Sequence, residues 1–351
     1  MKNPWILVTG ATGFIGSALV RRLVAKGEQV KAFVRAGSNL KPLEGLPEDR
    51  FQLAYGDVTV EHTVFRALAG CSQIFHVASS FQYSSRRPQT ILDAAKLGTE
   101  SVLGAVRRRG IENIVVTSSA AVLGTSSTPE PMDETHPFNL TDPETYVTAK
   151  LEADKIVERF VADGLPVVSV LPTAVFGPGD WKPTPNGQSL IEYLKVPPSF
   201  TVPVSEGGIS VVDVEDVVDG HIRAMEVGDV GERYLLGGEN VTFTQFFQML
   251  ADITGLAEPS DPKSAGFIQL FARFVELKAR LTGKAPVLTA RLARDYSHAY
   301  VWVTSEKAER DLGYQHRPAR EALARSVRWL LENEYVPGPA ADRVRLELRP
   351  V

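Results

Sequence analysis

Short apolar runs alternate with longer amphipathic runs over the first half of the chain. The spacing predicts strands at Trp5–Val8, Gln29–Val34, Phe51–Tyr55, Gln73–Ala78, Asn113–Thr117 and Val167–Leu171. Between them it predicts helices over Phe14–Ala25, Val60–Leu68, Thr90–Arg109 and Pro143–Asp163. Ile74-Phe75-His76-Val77-Ala78 and Ile114-Val115-Val116 lack the in–out alternation of a strand with one wet face. Strands buried on both faces read this way, and strands alternating with helices form βαβ units. The pattern therefore predicts an α/β fold with a doubly wound parallel sheet.

After residue 175 the rhythm breaks. Residues 176–203 hold Gly177-Pro178-Gly179, Trp181 and many prolines, and read as loop-rich structure over a cleft. A strand at Ile209–Val212, a helix at Val214–Val227 opened by acidic residues, and a strand at 232–236 follow. Helices are then expected over Thr242–Thr254, Phe267–Leu281 and Ala319–Asn333. This divides the chain into a first unit, 1–175, to which the strand and helix of 209–236 return. A smaller, mostly helical lobe comprises 176–208 and 237–335, and 336–351 is a tail.

Composition narrows the function. The 351 residues are 44% hydrophobic and carry a net charge of −4, without a basic stripe, which argues against nucleic acid. Cys71 is the single cysteine, so no internal disulfide exists and a reducing, cytoplasmic location is expected. The N-terminus does not read as a signal peptide, and no run approaches the ~20 apolar residues of a membrane span. The scattered histidines do not suggest a metal site.

TGATGFIG, Thr9–Gly16, stands where the first strand hands over to the first helix. Gly10, Gly13 and Gly16 there would allow a tight turn, close approach of a pyrophosphate, and close packing of the helix, whose N-terminus favours anions. This is the context that makes a glycine motif a dinucleotide site, and it makes the sheet a Rossmann fold. At the end of the second strand an acidic residue would bond the ribose 2′-hydroxyl of NAD, and an arginine would accept the 2′-phosphate of NADP. Arg35 stands there, with Lys41 nearby and no acid before Glu44, so NADP(H) is the expected cofactor. Asp57, after the third strand, could accept from the adenine amino group or cap the next helix.

Tyr146 and Lys150 lie at i and i+4, on one face of a helix. A neighbouring ammonium favours phenolate, so Lys150 is expected to lower the pKa of Tyr146. Thr117-Ser118-Ser119 ends a strand, and ligands of open α/β sheets bind at the carboxyl ends of strands.

Together these motifs resemble the extended short-chain dehydrogenase/reductases of the NAD-dependent epimerase/dehydratase superfamily. TGATGFIG, GD at 56–57, HVAS at 76–79, TSSA at 117–120, YVTAK at 146–150 and LPTAVFGPG at 171–179 occur in that order, and the similarity spans about 4–335. The resemblance implies that Ser119 holds a substrate carbonyl oxygen, that Tyr146 is the general acid/base and that Lys150 also binds the nicotinamide ribose. It further implies cofactor contacts from Gly10, Thr12, Gly13, Phe14, Ile15, Gly16, Arg35, Asp57, Val58, Val77, Ala78, Ser79, Thr117, Ser118, Pro172, Thr173 and Val175. Ser118 also reads simply as a strand-end residue. One departure stands out. Ala95 occupies the position three before Gly98 where many members carry an Asn, which puts the family's usual proton relay in doubt. VRAGS (34–38) and HVASSFQY (76–83) resemble dihydroflavonol reductases, while LTGKAPVLT (281–289) and EKAERDLGY (306–314) resemble 3β-hydroxysteroid-dehydrogenase-like members.

On the substrate side, Trp181, Tyr193, Leu194, Phe200, Phe267, Phe271, Phe274, Tyr296, Tyr300 and Trp302 read either as core or as the lining of an apolar site. Between 176 and 205 only Lys182 and Lys195 could meet a diphosphate. The expectation is an NADPH-dependent reductase of a bulky apolar ketone, such as a lipid, steroid-like or flavonoid-like one. The alternatives are a nucleotide-sugar epimerase or dehydratase with bound NAD and a non-catalytic NADP-binding regulator. The resemblance also makes a homodimer through the 90–109 and 143–163 helices an expectation.

Overall fold

The computed structural model describes residues 4–79, 88–282, 286 and 288–344. In chain order it runs β1 (Trp5–Thr9), α1 (Phe14–Ala25), β2 (Val30–Val34), β3 (Phe51–Tyr55), α2 (Glu61–Ala67), β4 (Cys71–His76), α3 (Pro88–Arg109), β5 (Asn113–Thr117), α4 (Thr145–Ala162) and β6 (Val167–Pro172). There follow β7 (Ala174–Phe176), α5 (Pro185–Leu194), β8 (Gly207–Asp213), α6 (Val214–Val227), β9 (Arg233–Leu236), β10 (Glu239–Thr242), α7 (Phe243–Thr254) and α8 (Ala265–Thr282). The last elements are α9 (Ala290–Tyr296), β11 (Ala299–Val301), α10 (Glu306–Leu312), α11 (Ala319–Glu332) and α12 (Gly338–Ala341).

Seven parallel strands form the main sheet in the order β3-β2-β1-β4-β5-β6-β9. The order reverses beside β1, so the crevice at the carboxyl ends of β1 and β4 is the switch point where such sheets bind ligands. The apolar runs fill the sheet: Leu7, Val8, Val30, Ile74 and Val170 are fully buried. One face packs on α1 and α6, the other on α2, α3 and α4. A bidentate pair from Arg22 to Asp219 (2.9 and 2.6 Å) ties α1 to α6 and fixes the helix that opens at the glycine turn.

The segment 209–236 divides between the two sheets. Helix α6 and strand β9 join the main sheet, whereas β8 pairs with β7, β10 and β11 in a second, smaller sheet. The expectation of loop-rich structure over 176–203 needs correction, because helix α5 lies inside it. Thr184 caps that helix through the Gly187 N–H and Pro185 stands in its first turn. Proline is tolerated there because the first N–H groups of a helix have no partner within it. Leu190, Ile191, Tyr193 and Leu194 then bury its inner face. The part of HVASSFQY beyond Ser79 and most of TGKAPV lie outside the described residues.

Candidate active site

The glycine turn is built by close approach. Gly10 has φ of +68°, and a Cβ there would stand 2.7 Å from the Ala78 backbone, just beyond β4. A Cβ on Gly16 would stand 2.2 Å from the Gly10 carbonyl oxygen, so this glycine packs α1 onto the turn itself. Gly13 differs: its φ is −80° and the only atom near its missing Cβ is the Gly10 oxygen at 3.1 Å. Helix α1 has no side-chain cap and no acidic residue in its first turn. Its N-terminus, with Thr12, Phe14 and Ile15 around Gly13, is therefore suited to an anion.

Arg35 is exposed just past β2 and lies near enough to Asp57 to favour its charged form. The Asp57 carboxylate accepts from the Thr59 N–H and hydroxyl (2.9 and 2.8 Å), which holds its pKa below the usual carboxylate value. Asp57 thus closes the turn at Thr59 but does not cap α2, whose N-cap Val60 has no side-chain hydrogen bond, and Val58 beside it packs against Gly98. The Lys41 ammonium sits 4.6 Å from the Trp181 ring centre, joining the loop after β2 to the second lobe.

Past β4, Val77, Ala78 and Ser79 continue from the floor of the switch point, and the Ala78 N–H donates to the Thr9 hydroxyl (3.3 Å). Pro172 ends β6 and Val175 lies in β7. Between them the Thr173 hydroxyl oxygen is buried without a hydrogen-bond partner. A buried polar atom left over in this way calls for a ligand or water. Together with the glycine turn and the anion-ready helix end, it fits a dinucleotide.

Tyr146 and Lys150 both face inward from α4, with 8% and 7% of their surface exposed. Ser119 hydrogen-bonds the Tyr146 hydroxyl. Its own position is set by the short helical turn it caps, where its oxygen accepts the Ala121 N–H. Lys150 donates to the Thr117 carbonyl oxygen (2.8 Å). Burial pushes the Tyr146 phenol up to about 12 and the Lys150 ammonium down to about 8. This corrects the expected effect of Lys150 on Tyr146. Burial raises the phenol, the Asp154 charge adds to this and the Ser119 hydrogen bond opposes it, so the phenol keeps its proton at neutral pH.

Ser118 stands just past β5. Its hydroxyl donates to both oxygens of Asp154 (2.6 and 2.8 Å), so it is engaged by α4. Asp154 follows Tyr146 and Lys150 at one further helical turn, and Arg233 of β9 approaches it at 3.5 Å. Its carboxylate favours the charged form of Lys150 against burial. Glu144, at the start of α4, is buried and accepts from the Thr289 hydroxyl that caps α9. Neither acid stands among the site residues that the sequence motifs single out.

Two histidines brace the strand ends. His76 bonds Thr9 (2.8 Å); His221 bonds Thr117 (2.8 Å) and Val217 O (2.7 Å). Burial holds them at about 3 and about 4, so both are neutral at pH 7. In His221, Nδ1–H must then donate to the Val217 carbonyl, leaving Nε2 to accept the Thr117 hydroxyl proton. Because these folded values lie below the unfolded value of 6.5, the unfolded chain binds protons first as the pH falls. Unfolding free energy should thus drop below pH ~6.5, by up to ~1.4 kcal/mol per pH unit for each histidine. Urea denaturation at a series of pH values checks this, and His221→Gln should flatten the slope.

Among the substrate-side aromatics, Tyr296 comes close enough to Tyr146 for that phenol to disfavour its ionisation. Tyr193 is core, its hydroxyl donating to Ala257 O (3.0 Å). Tyr300 and Trp302 pack edge to face at 4.8 Å.

The chain matches the NAD dependent epimerase/dehydratase family over residues 6–237, and it belongs to that family. It is 32% identical over 335 residues to sterol demethylase protein B of Methylococcus capsulatus, covering 93% of this chain and 98% of that protein. It is 29% identical over 267 residues to dihydroflavonol 4-reductase of Zea mays, covering 70% and 73% of the two chains. The crystal structure of gox2253 superposes with a TM-score of 0.81 at 33% identity, covering 95% of this chain and all of that one. Among the described residues no helix is long and apolar enough to cross a membrane, and no cluster of ligating side chains could hold a metal.

Proposed function

We propose that the protein is an NADPH-dependent reductase that converts a bulky apolar ketone to a secondary alcohol. The observation that carries this reading is the Ser119–Tyr146–Lys150 group at the carboxyl end of β5, beside the glycine turn. The dinucleotide, when bound, supplies the hydride for the carbonyl carbon. Ser119 donates a hydrogen bond to the carbonyl oxygen. Tyr146, which keeps its proton at neutral pH, delivers that proton to the same oxygen as negative charge develops there. Lys150, anchored on the Thr117 carbonyl and balanced by Asp154, supplies positive charge beneath the tyrosine. Gly10, Gly13 and Gly16 with Thr12, Phe14 and Ile15 hold the pyrophosphate, Arg35 the 2′-phosphate, and Pro172, Thr173 and Val175 the nicotinamide end.

The lobe of 176–208 and 237–335 receives the substrate. Similarity to a reductase of a flavonoid ketone and to a protein named for sterol demethylation supports a large apolar body. A nucleotide sugar fits less well, since within 176–205 Lys195 is already paired with Glu192 at 2.6 Å and leaves Lys182 to meet a diphosphate. The test is NADPH consumption with a panel of steroid and flavonoid ketones. One or more should be reduced with net loss of NADPH, faster than with NADH, and Arg35→Asp should reverse the preference. Sugar-nucleotide turnover on tightly held NAD, without net consumption, would establish the epimerase instead.

A further inference from the structure

Helix α8 carries an unusual surface. Among the described residues, eleven large hydrophobic side chains are exposed, and five of them lie on this helix: Phe267, Leu270, Phe274, Leu277 and Leu281. At 3.6 residues per turn these five fall within an arc of about 80°. Scattered exposed apolar residues are ordinary, but a continuous stripe marks a contact surface. The stripe is not a displaced core face. Ile268 and Ala272, on the opposite side, already pack on Ala293 and Leu288.

Charge decides what covers the stripe. Arg273 and Lys278 are exposed and flank it on its two sides. The one acidic residue of the helix, Glu276, is turned away and accepts the Ala290 N–H at 2.9 Å. An apolar stripe edged by cations, on a helix about 27 Å long, matches the interface of an anionic bilayer, where apolar side chains enter the acyl boundary and cations meet headgroups. A second copy of this chain would set the same cations against each other. We propose that α8 is an interfacial membrane helix that seats the substrate lobe on an anionic lipid surface, lying in the interface without spanning it.

The placement has a chemical consequence. Helix α8 packs on α9, whose cap Thr289 holds Glu144 at the start of the catalytic-pair helix, and whose Tyr296 borders Tyr146. A lipid-seated α8 therefore sets the membrane beside the lobe through which an apolar molecule would reach the site. The binding claim itself does not rest on the reductase reading, because vesicle binding is measured without substrate.

The experiment is co-sedimentation of the full-length protein with vesicles of phosphatidylcholine plus phosphatidylserine, and of phosphatidylcholine alone. Binding is expected to the mixed vesicles, weaker to the neutral ones, and reduced by salt. Phe274→Glu with Leu277→Glu should weaken it by about a hundredfold, since two side chains that would enter the acyl boundary become charged. Melting temperature and NADPH affinity should match the parent, showing that the lobe still folds. No binding to the mixed vesicles overturns the proposal. So does a parent dimer that the double substitution converts to monomer without any vesicle binding, which would assign the stripe to a second copy.

Discussion

Tyr146→Phe should lower turnover on a reducible ketone by about 10³-fold while leaving NADPH affinity within about twofold of the parent. The substitution removes a single oxygen from an otherwise buried ring, so packing of α4 is preserved. What is lost is the proton donor. With the phenol pushed up to about 12, the parent holds that proton across the neutral range and can release it only as charge builds on the carbonyl oxygen. Ser119 loses its partner but keeps the Ala121 N–H, so the oxygen-holding group stays in place. Steady-state kinetics and a fluorescence titration with NADPH measure the two quantities separately. Turnover retained with the phenylalanine would mean that the proton comes from elsewhere, and the assigned role of Tyr146 would be wrong.

The same pair of residues shows what sequence spacing can and cannot carry. The i, i+4 spacing places Tyr146 and Lys150 on one helix face, and the motif order brings Ser119 to them. The sign of the tyrosine's shift was not legible, because it depends on how deeply α4 is covered. Asp154 was within reach: it continues the i, i+4 series by one more turn. Its meaning appears only once Ser118, just past β5, and Arg233, of β9, are seen to converge on it. Glu144 and Thr289 are 145 residues apart, and no local pattern links them.

The main sheet was legible for a related reason. Its central strands are buried on both faces and leave apolar runs, so Ile6–Val8 or Ile114–Val116 announce themselves. Strands β7, β10 and β11 are three or four residues long, too short for periodicity to register. Helix α5 hid behind its prolines. The apolar stripe of α8 was legible as amphipathic, but the sequence does not say which side faces the protein. It reads equally as a cover over a ligand, and only the packing of Ile268 and Ala272 on α9 turns Phe274 and Leu277 outward.

Substituting the glycines of TGATGFIG one at a time should separate folding from ligand binding. Gly13→Ala places a methyl group 3.1 Å from one carbonyl oxygen, at an ordinary φ of −80°, so the turn can accept it with a small adjustment. That methyl stands at the mouth of α1, where a pyrophosphate must come close to the backbone. Affinity for NADPH should fall about a hundredfold, with the melting temperature shifted by no more than ~2 °C. Gly16→Ala meets the Gly10 oxygen at 2.2 Å and the Gly10 carbon at 2.8 Å, both backbone atoms held by the left-handed turn. Relief requires moving α1 away from β1, at a cost of about 1–3 kcal/mol, so stability and NADPH affinity should fall together. Thermal denaturation with and without NADPH reads both effects in one series. If Gly13→Ala bound NADPH as tightly as the parent, the turn would be a packing device, and the dinucleotide would have to lie elsewhere. The contrast is sharp because the two glycines differ in what surrounds their missing Cβ: one faces the helix mouth, the other a wall of backbone.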